Sequence, residues 1–248
     1  MKKYIKMISL LYKNKRYLTG FLYSIFFNFK NLPFEQAKKL PIIFYSVSFV
    51  RNPFKKMKVI INSNAVDFGM IRIGYPYVNN WCIEKKCVID IEGTVIFYGK
   101  CLIFQKAHLS VYKNAMLEFG KNFSASSGLN LCCVNKITFQ EEVMLGWDVT
   151  IMDTDFHYLV NNENTNTNTK SINIGKNNWI GAKCIITKGT HTPNYCTFGA
   201  GSVISGIYGC KEKTILKGNP AVEISSGWFL KENEIIRNHF KINNEKLK

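Results

Sequence analysis

Acidic residues are scarce in this 248-residue chain, and they are nearly missing from its first quarter. Asp and Glu together number 17 against 33 Lys and Arg, so the formal net charge is +16. Residues 1–60 hold 13 of the basic residues and a single acid, Glu35. A basic end on a nearly neutral body indicates an anionic partner at that end. We expect an anionic membrane surface and no nucleic acid, because the sequence has no zinc-finger spacing, helix-turn-helix or RNA-binding signature.

Long hydrophobic runs and closely paired cysteines are also missing. The apolar stretch 17–29 is short of the roughly 20 residues that cross a bilayer, and the N-terminus has no signal-peptide cleavage pattern. None of the eight cysteines forms a C-x-x-C pair. They are interpreted as small buried hydrophobes in a reduced compartment, rather than as disulfides or metal ligands. The sequence therefore predicts a cytoplasmic protein without a metal, peripheral to the inner face of the membrane if its basic end meets lipid.

A six-residue repeat dominates the last third of the chain. It places similar residue types at Ile174, Ile180, Ile186, Thr192, Phe198 and Ile204, and glycine directly follows three of these. A period of six fits neither a helix nor a strand alone. It is typical of a parallel β-helix, in which three short strands and three tight corners form each coil. The apolar residue then points into a narrow prism, and the next position lies at a corner where glycine is tolerated.

The same frame continues less regularly upstream. It runs through Val95, Cys101 and Ala107, fails at Lys113, resumes at Phe119, Ala125, Leu131 and Ile137, and then slips by two to Phe139, Leu145 and Ile151. A slip of this kind predicts a loop or bulge. The prediction is therefore an all-β chain with its β-helix at 59–224.

The remaining segments frame this β-helix. Residues 1–58 form a basic region whose stretch 2–29 has amphipathic helical spacing. Such a helix lies in a membrane interface, packs against the end or side of the solenoid, or does both. Residues 158–171 are polar and rich in Asn and Thr, which predicts a loop insertion. Residues 225–248 predict a short helix that caps the open end.

Several short motifs resemble one protein family. They are IGKNNWIGA, FGAGSVIS, KGNPA and a DTDFH whose histidine lies 22 residues before Trp179. With NFKNLPFEQAKKLP and FGMIRIG, they resemble the hexapeptide-repeat acyltransferases, in particular the O-acetyltransferases of bacterial lipopolysaccharide and capsule synthesis, over about residues 28–224. The resemblance implies a left-handed parallel β-helix, a homotrimer with sites between neighbouring subunits, and acetyl-CoA as co-substrate.

The catalytic assignment rests on a histidine. Acetyl transfer to a hydroxyl needs a base of near-neutral pKa, and histidine is the natural choice. Of the chain's four histidines, only His157 lies in a motif of the family, so the resemblance implies that it is the general base of a direct transfer. Asp153 and Asp155 are candidates to orient it, since alternate residues of an extended segment share a side. Either aspartate is equally well explained as a turn-forming residue.

The resemblance also implies a cofactor groove. Its candidates are Trp179, Gly181, Ala182, Ala200, Gly201, Ser202 and Ser205. Small residues let a pantetheine arm approach the backbone, but they also fit the corners of a tight coil. Basic residues that follow GSV and GNPA in the family are replaced here by Ser205-Gly206 and Val222-Glu223, so Lys217, Lys211 or Lys213 is expected to meet the CoA phosphates instead.

The acceptor is expected to be a sugar hydroxyl of a surface polysaccharide or of its lipid-linked precursor. Trp147 and Asp148 are candidates to line its pocket, although Trp147 is equally well explained by packing. Two alternatives remain open: an N-acetyltransferase of an amino sugar or small molecule, and a β-helix scaffold that catalyses nothing. DTDFH favours an enzyme, because a scaffold has no need of it.

Overall fold

The computed structural model describes residues 16–45, 47–50, 56–76, 86–161, 165–230 and 232–245. The helices in these ranges are α1 (Arg16–Asn31), α2 (Phe34–Ala37) and α3 (Glu234–Glu245). Most of the other described residues belong to short strands and the corners between them. The helix predicted from residue 2 lies outside these ranges up to residue 15, and so does Cys82.

The strands form three sheets, numbered here in chain order. Sheet A contains β1 (Ile42–Phe44), β4 (Ile71–Tyr75), β7 (Cys101–Phe104), β10 (Phe123–Ala125), β13 (Met144–Leu145), β16 (Trp179–Ile180), β18 (Thr197–Phe198), β20 (Thr214–Gly218) and β21 (Ala221–Ser226). Sheet B contains β2 (Val47–Val50), β5 (Cys87–Ile91), β8 (His108–Val111), β11 (Asn130–Cys133), β14 (Thr150–Met152), β17 (Ile185–Ile186) and β19 (Val203–Ile204). Sheet C contains β3 (Lys58–Ile61), β6 (Thr94–Phe97), β9 (Met116–Phe119), β12 (Lys136–Phe139) and β15 (Ile172–Ile174).

Through most of the chain, successive strands belong to sheets A, B and C in turn, so the chain winds as a parallel β-helix. In the last coils Trp179 pairs with Thr197 and Ile186 with Ile204, each 18 residues later. One coil is therefore three six-residue repeats, as the sequence predicts. The β-helix begins earlier than predicted, however, because β1 at Ile42 already pairs in parallel with β4. The predicted boundary at residue 59 is wrong by one coil.

The interior of the prism consists of stacked apolar columns. On sheet C, Phe97, Phe119 and Phe139 lie in one column, and their ring centroids are separated by 5.3 Å and 5.7 Å in nearly parallel planes. Ile137 and Phe139 are both buried on β12, which pairs with β9 and β15 without a shift of register. The loop or bulge predicted at the two-residue slip is therefore wrong. A strand of four residues has two inward positions, and the frame passes from one to the other.

Cysteines behave as small interior residues of these columns. The buried ones are Cys87, Cys101, Cys133, Cys184 and Cys196, and all seven described cysteines are free thiols. Burial raises the pKa of Cys87 to about 11 and that of Cys196 to about 12. A thiol with such a pKa stays neutral near pH 7 and packs as an apolar group.

Helix α1 covers the first coil. The Asn28 amide nitrogen donates to the Ile42 carbonyl at 2.7 Å, and the Ile42 amide donates to Asn28 Oδ1 at 3.1 Å. The Phe44 amide donates to Ser24 Oγ at 2.8 Å. Because β1 is the outermost strand of sheet A, these side chains satisfy backbone groups that have no further strand to pair with. Of the two placements considered for the N-terminal helix, packing against the end of the solenoid is observed.

The C-terminal helix does not cap the other end. Ile236 and Phe240 of α3 pack on Leu102 and Phe104, on the outer face of sheet A in the middle of the β-helix. Sheet A ends instead in an antiparallel hairpin of β20 and β21. The predicted cap is therefore wrong in its place: the apolar face of α3 is buried on the side of the solenoid.

Candidate functional site

Two edges of the prism carry the predicted site residues. The A–B edge is the row of corners between sheets A and B, formed by residues 127–128, 147–148, 182–183 and 200–201. A backbone ladder joins these corners: the Asp148 amide donates to Ser127 O at 2.9 Å, Lys183 to Trp147 O at 2.7 Å, and Gly201 to Ala182 O at 2.8 Å. The ladder stacks Trp147, Ala182 and Ala200 one above another along the axis.

The A–B edge presents small residues beside two exposed indoles. Trp147 is 46% exposed, and Trp179 is 42% exposed on the outer face of sheet A beside this edge. Ala200 and Gly201 are exposed and Ala182 is half-buried. We call Ala182, Ala200 and Gly201 the small-residue strip. Its backbone groups are accessible because its side chains are no larger than a methyl group.

The glycines of this edge serve two different purposes. A Cβ atom on Gly181 would lie 2.6 Å from the backbone nitrogen of Ala200, so the stacking of coils requires glycine there. Gly201 has no atom within 4 Å of its would-be Cβ, and its φ of +74° favours glycine for conformational reasons. The two explanations that composition leaves open therefore apply to different residues: Gly181 is a packing position, and Gly201 faces open space.

Of the remaining cofactor candidates at this edge, Ser202 is buried within the fold and Lys217 is exposed. Ser202 is fully buried, and its hydroxyl donates to Gly199 O at 2.6 Å and accepts from the Gly218 amide at 3.1 Å. The first hydrogen bond lies within one corner and the second joins it to the next coil, so the hydroxyl is occupied by backbone groups. Lys217 is exposed and packs over Gly199, next to the small-residue strip.

The B–C edge is the row of corners between sheets B and C, and it carries an insertion. Residues 153–171 leave this edge between β14 and β15 as an antiparallel hairpin, with bridges between Thr154 and Thr169 and between Val160 and Thr165. The Asn166 amide donates to Leu159 O at 2.7 Å. In its described part the predicted loop is therefore an antiparallel hairpin; residues 162–164 lie outside the described ranges. Ser205 is exposed on this same edge two coils further on.

Asp153 anchors the base of the hairpin. It is fully buried, and its carboxylate accepts hydrogen bonds from the amides of Val134 at 2.7 Å and Asn135 at 2.8 Å. These are the corner amides of the preceding coil. The carboxylate is therefore occupied by backbone donors and does not face His157.

Asp153→Asn is expected to lower the free energy of unfolding by about 2 kcal/mol. The amide side chain has one accepting oxygen for two buried donors, so one backbone N–H is left unpaired or meets an NH₂ group. Asp148→Asn is the control, because Asp148 is exposed and its Oδ1 lies 3.7 Å from Lys106 Nζ. Chemical denaturation measures both variants. Equal stability of the two would contradict the anchoring role of Asp153.

Asp155 is bound to a lysine that the sequence analysis did not identify. Lys188 Nζ lies 2.5 Å from Asp155 Oδ2 and donates to Thr167 O at 2.6 Å, so one ammonium group joins both arms of the hairpin. The pairing register of the coils would have predicted this contact. Ile151 pairs with Ile186, which places Lys188, two residues later, one coil beyond the start of the insertion.

His157 projects from the hairpin. It is exposed, and within the described part of its own chain it makes no hydrogen bond or ion pair. Phe156, between Asp155 and His157, has a φ of +60°, and its ring lies 6.0 Å from that of Tyr112. This left-handed residue interrupts the extended alternation. The predicted common side for Asp153, Asp155 and His157 is therefore not found.

The other histidines have different surroundings. His108 is exposed on the outer face of sheet B, and His191 is half-buried beside sheet C. His239 Nδ1 lies 2.8 Å from Ile235 O, and its ring packs between those of Tyr75 and Phe104. In the ranges that the structure describes, no three His, Cys, Asp or Glu residues are grouped as metal ligands.

One chain thus divides the candidates between two edges. Trp147, Asp148, Trp179, Gly181, Ala182, Ala200, Gly201 and Lys217 lie at the A–B edge, and Asp153, Asp155, His157 and Ser205 lie at the B–C edge. Sheet B separates the two groups. Within one chain, His157 and the small-residue strip therefore lie at opposite edges of sheet B.

Comparison with known proteins yields solved structures only. No protein-family model matches the chain, and no curated protein matches it. The polySia-specific acetyltransferase NeuO is 16% identical, with a TM-score of 0.45 over 82% of this chain and 99% of its own. AntD, an N-acyltransferase from Bacillus cereus, is 16% identical, with a TM-score of 0.39 over 88% and 99%. The hexapeptide-repeat containing acetyltransferase VCA0836 from Vibrio cholerae is 15% identical, with a TM-score of 0.30 over 82% and 86%. Similarities this distant assign no activity to the chain.

Proposed function

We propose that the chain is an acetyl-CoA-dependent O-acetyltransferase that acts on a sugar hydroxyl of a surface polysaccharide or of its lipid-linked precursor. The observation that carries the proposal is the small-residue strip, which lies open at the A–B edge beside the exposed indoles of Trp147 and Trp179. The second support is His157 of the family motif DTDFH, an exposed histidine that makes no hydrogen bond or ion pair within the described part of its chain. A scaffold would need neither an open strip nor an exposed histidine in this motif.

Acetyl-CoA binds along the A–B edge in this proposal. The pantetheine arm lies on Ala182, Ala200 and Gly201, where backbone N–H and C=O groups pair with its amides. Lys217 meets a CoA phosphate as a point charge from the adjoining coil. Gly181 contributes by letting the coils stack closely, and Ser202 contributes nothing directly.

The site is completed by a second subunit of a homotrimer. The division of the candidates between two edges supports this step, because the B–C edge of one subunit can approach the A–B edge of the next. The hairpin carries Tyr158, Leu159 and Val160, which are 65%, 65% and 73% exposed. Apolar groups so exposed on a projecting hairpin suit burial against a neighbour. His157 and Ser205 of one copy then face the strip of the other.

The chemistry is a direct acyl transfer. The His157 imidazole takes the proton of the acceptor hydroxyl as its oxygen attacks the acetyl carbonyl carbon. The carbon–sulfur bond breaks, and the CoA thiolate takes the proton from the imidazolium, which leaves an acetyl ester and CoA. Asp155 positions the histidine indirectly, by fixing the hairpin through Lys188. In this proposal Trp147 and Asp148, in the coil before Ala182, contact the sugar ring and its hydroxyls.

Ala200→Tyr is expected to weaken acetyl-CoA binding at least tenfold, or about 1.4 kcal/mol, without lowering the melting temperature. The phenol ring would cover the strip, and the exposed position can hold it without strain. Ala65→Tyr is the matched control, since Ala65 is an exposed alanine in the first coils. Isothermal titration measures both. Equal affinity of the two variants would remove the strip from the binding site.

The acceptor is tested by the chemistry of the product. Release of the CoA thiol is followed with oligosaccharides that offer hydroxyls and with amino sugars. The proposal expects a product whose acetyl group is released by hydroxylamine, because that reagent cleaves esters and spares amides. An amide product would favour the N-acetyltransferase alternative.

A further inference from the structure

Helix α1 has a second face that is largely exposed. Leu18, Leu22, Phe26 and Phe29 are 45%, 57%, 40% and 49% exposed. At about 100° per residue they fall within an arc of roughly 80°, and they extend for about 16 Å along the helix. The buried residues of α1 lie on the opposite arc. The outward arc is therefore an apolar stripe on a helix whose other face is held to the first coil.

The stripe continues into α2. Phe34 is 67% exposed, and its ring centroid lies 6.2 Å from that of Phe29. Together these five residues, Leu18, Leu22, Phe26, Phe29 and Phe34, make one apolar surface at the closed end of the solenoid, which we call the end face.

Cations surround the end face. Lys30 Nζ lies 5.2 Å from the Phe26 ring, and Lys38 Nζ lies 5.9 Å from the Phe34 ring. Lys39, Lys56 and Lys58 are exposed in the same part of the chain. The only acid among residues 1–60, Glu35, is paired with Lys38 at 2.5 Å. Lysine ammonium groups therefore lie at the margin of the stripe.

We propose that the end face docks the protein on the surface of an anionic lipid bilayer. An apolar stripe with lysines at its margins is the arrangement by which a helix lies in a membrane interface, with its rings among the acyl chains and its cations at the headgroups. A second copy is a poor occupant, because it would bring an equal positive charge against this one. Within the described ranges, none of the helices has the length and apolar character needed to span a bilayer.

The fold makes this surface a rigid platform. The hydrogen bonds of Ser24 and Asn28 to β1 fix the rotation of α1, so the stripe faces away from the coils. Anionic lipid is enriched in the cytoplasmic leaflet, so the inner face of the membrane is the surface that suits this charge. The inference does not depend on acetyl transfer, and its failure would leave that proposal untouched.

Vesicle co-sedimentation of the full chain tests the docking. We expect binding to vesicles with about one-third phosphatidylglycerol at about 0.1 M salt, and at least tenfold weaker binding either to pure phosphatidylcholine or at about 0.5 M salt. Equal binding to both lipid compositions, or no binding to either, would overturn the proposal.

Matched variants locate the surface. Leu22→Asp is expected to weaken binding at least tenfold, whereas Ile224→Asp is expected to bind like the unaltered chain; both parent residues are 57% exposed. A double variant, Lys39→Glu with Lys56→Glu, is expected to lose binding. Lys113→Glu with Lys211→Glu, which changes the net charge equally at two exposed lysines elsewhere, is its control. If Leu22→Asp does not fold, vesicle binding of the Lys39→Glu/Lys56→Glu double variant still tests the docking.

One result would show that a second copy of the chain, and not lipid, occupies the end face. If Leu22→Asp abolishes a concentration-dependent self-association seen by sedimentation without vesicles, and vesicle binding is unaltered, the end face binds a second copy and the lipid proposal is wrong.

Discussion

His157→Ala is expected to lower the rate of acetyl transfer by about 10²–10⁴-fold while acetyl-CoA binds as before. The side chain is exposed and makes no hydrogen bond or ion pair within the described part of its chain, so its loss should not disturb the fold. The acceptor hydroxyl would then have no positioned base to take its proton. Thiol release under saturating acetyl-CoA measures the rate, and isothermal titration measures the binding.

His108→Ala is the matched control, because His108 is exposed on the outer face of sheet B, away from the hairpin. Its activity should equal that of the unaltered protein. Full activity of His157→Ala would show that His157 is not the general base. An equal loss in both variants would show that the loss is not specific to the motif histidine.

Gly181→Ala is expected to lower the free energy of unfolding by about 3 kcal/mol, which in a chain of this size is a fall in Tm of roughly 6–12 °C. The added Cβ would lie 2.6 Å from Ala200 N, 2.8 Å from Phe198 O and 2.9 Å from Ala200 Cα. All three are backbone atoms of the next coil, so no side chain can turn aside to relieve the contact. Two coils must move apart, and the hydrogen bond from Gly181 N to Phe198 O, 2.8 Å long, must lengthen.

Gly209→Ala provides the comparison, since no atom lies within 4 Å of its would-be Cβ and its φ is not in the left-handed region. Thermal unfolding without ligand separates packing from cofactor binding. If the two variants melt together, Gly181 is not a packing position, and its role would return to the cofactor groove.

The columns of the β-helix could be predicted from the sequence because the interior of a narrow prism selects for side-chain type. Ile174, Ile180 and Ile186 recur every six residues, since each faces the axis from a different sheet. The slip at Ile137 and Phe139 could not be interpreted in the same way. Both residues point inward from one strand, and a six-residue frame has room for only one of them.

The contacts between coils were much less predictable. Asp153 binds corner amides 18 and 19 positions earlier, and Lys188 binds Asp155 from the next coil. These offsets depend on the number of residues in each corner, which varies from coil to coil. Leu131 pairs with Ile151, 20 residues later, whereas Ile151 pairs with Ile186, 35 residues later, because the hairpin lies between them. Only the register of the folded chain fixes such offsets.

The sequence likewise did not predict on which surface each amphipathic helix packs. Patterning predicted helices at both ends, but an apolar face does not specify which surface covers it. For α1 the decision lies with Asn28 and Ser24, whose polar groups match the outer edge of β1. For α3 it lies with the apolar outer residues Leu102 and Phe104 of sheet A.

Isothermal titration of the folded protein with acetyl-CoA tests the proposed function most directly. We expect binding with a Kd on the order of micromolar to a few hundred micromolar, in the range usual for an enzyme and its substrate. We also expect weaker binding as salt rises, because the contact between Lys217 and phosphate is screened. A folded protein that binds no acetyl-CoA at either low or moderate salt would contradict the proposal, and the β-helix would then be a scaffold.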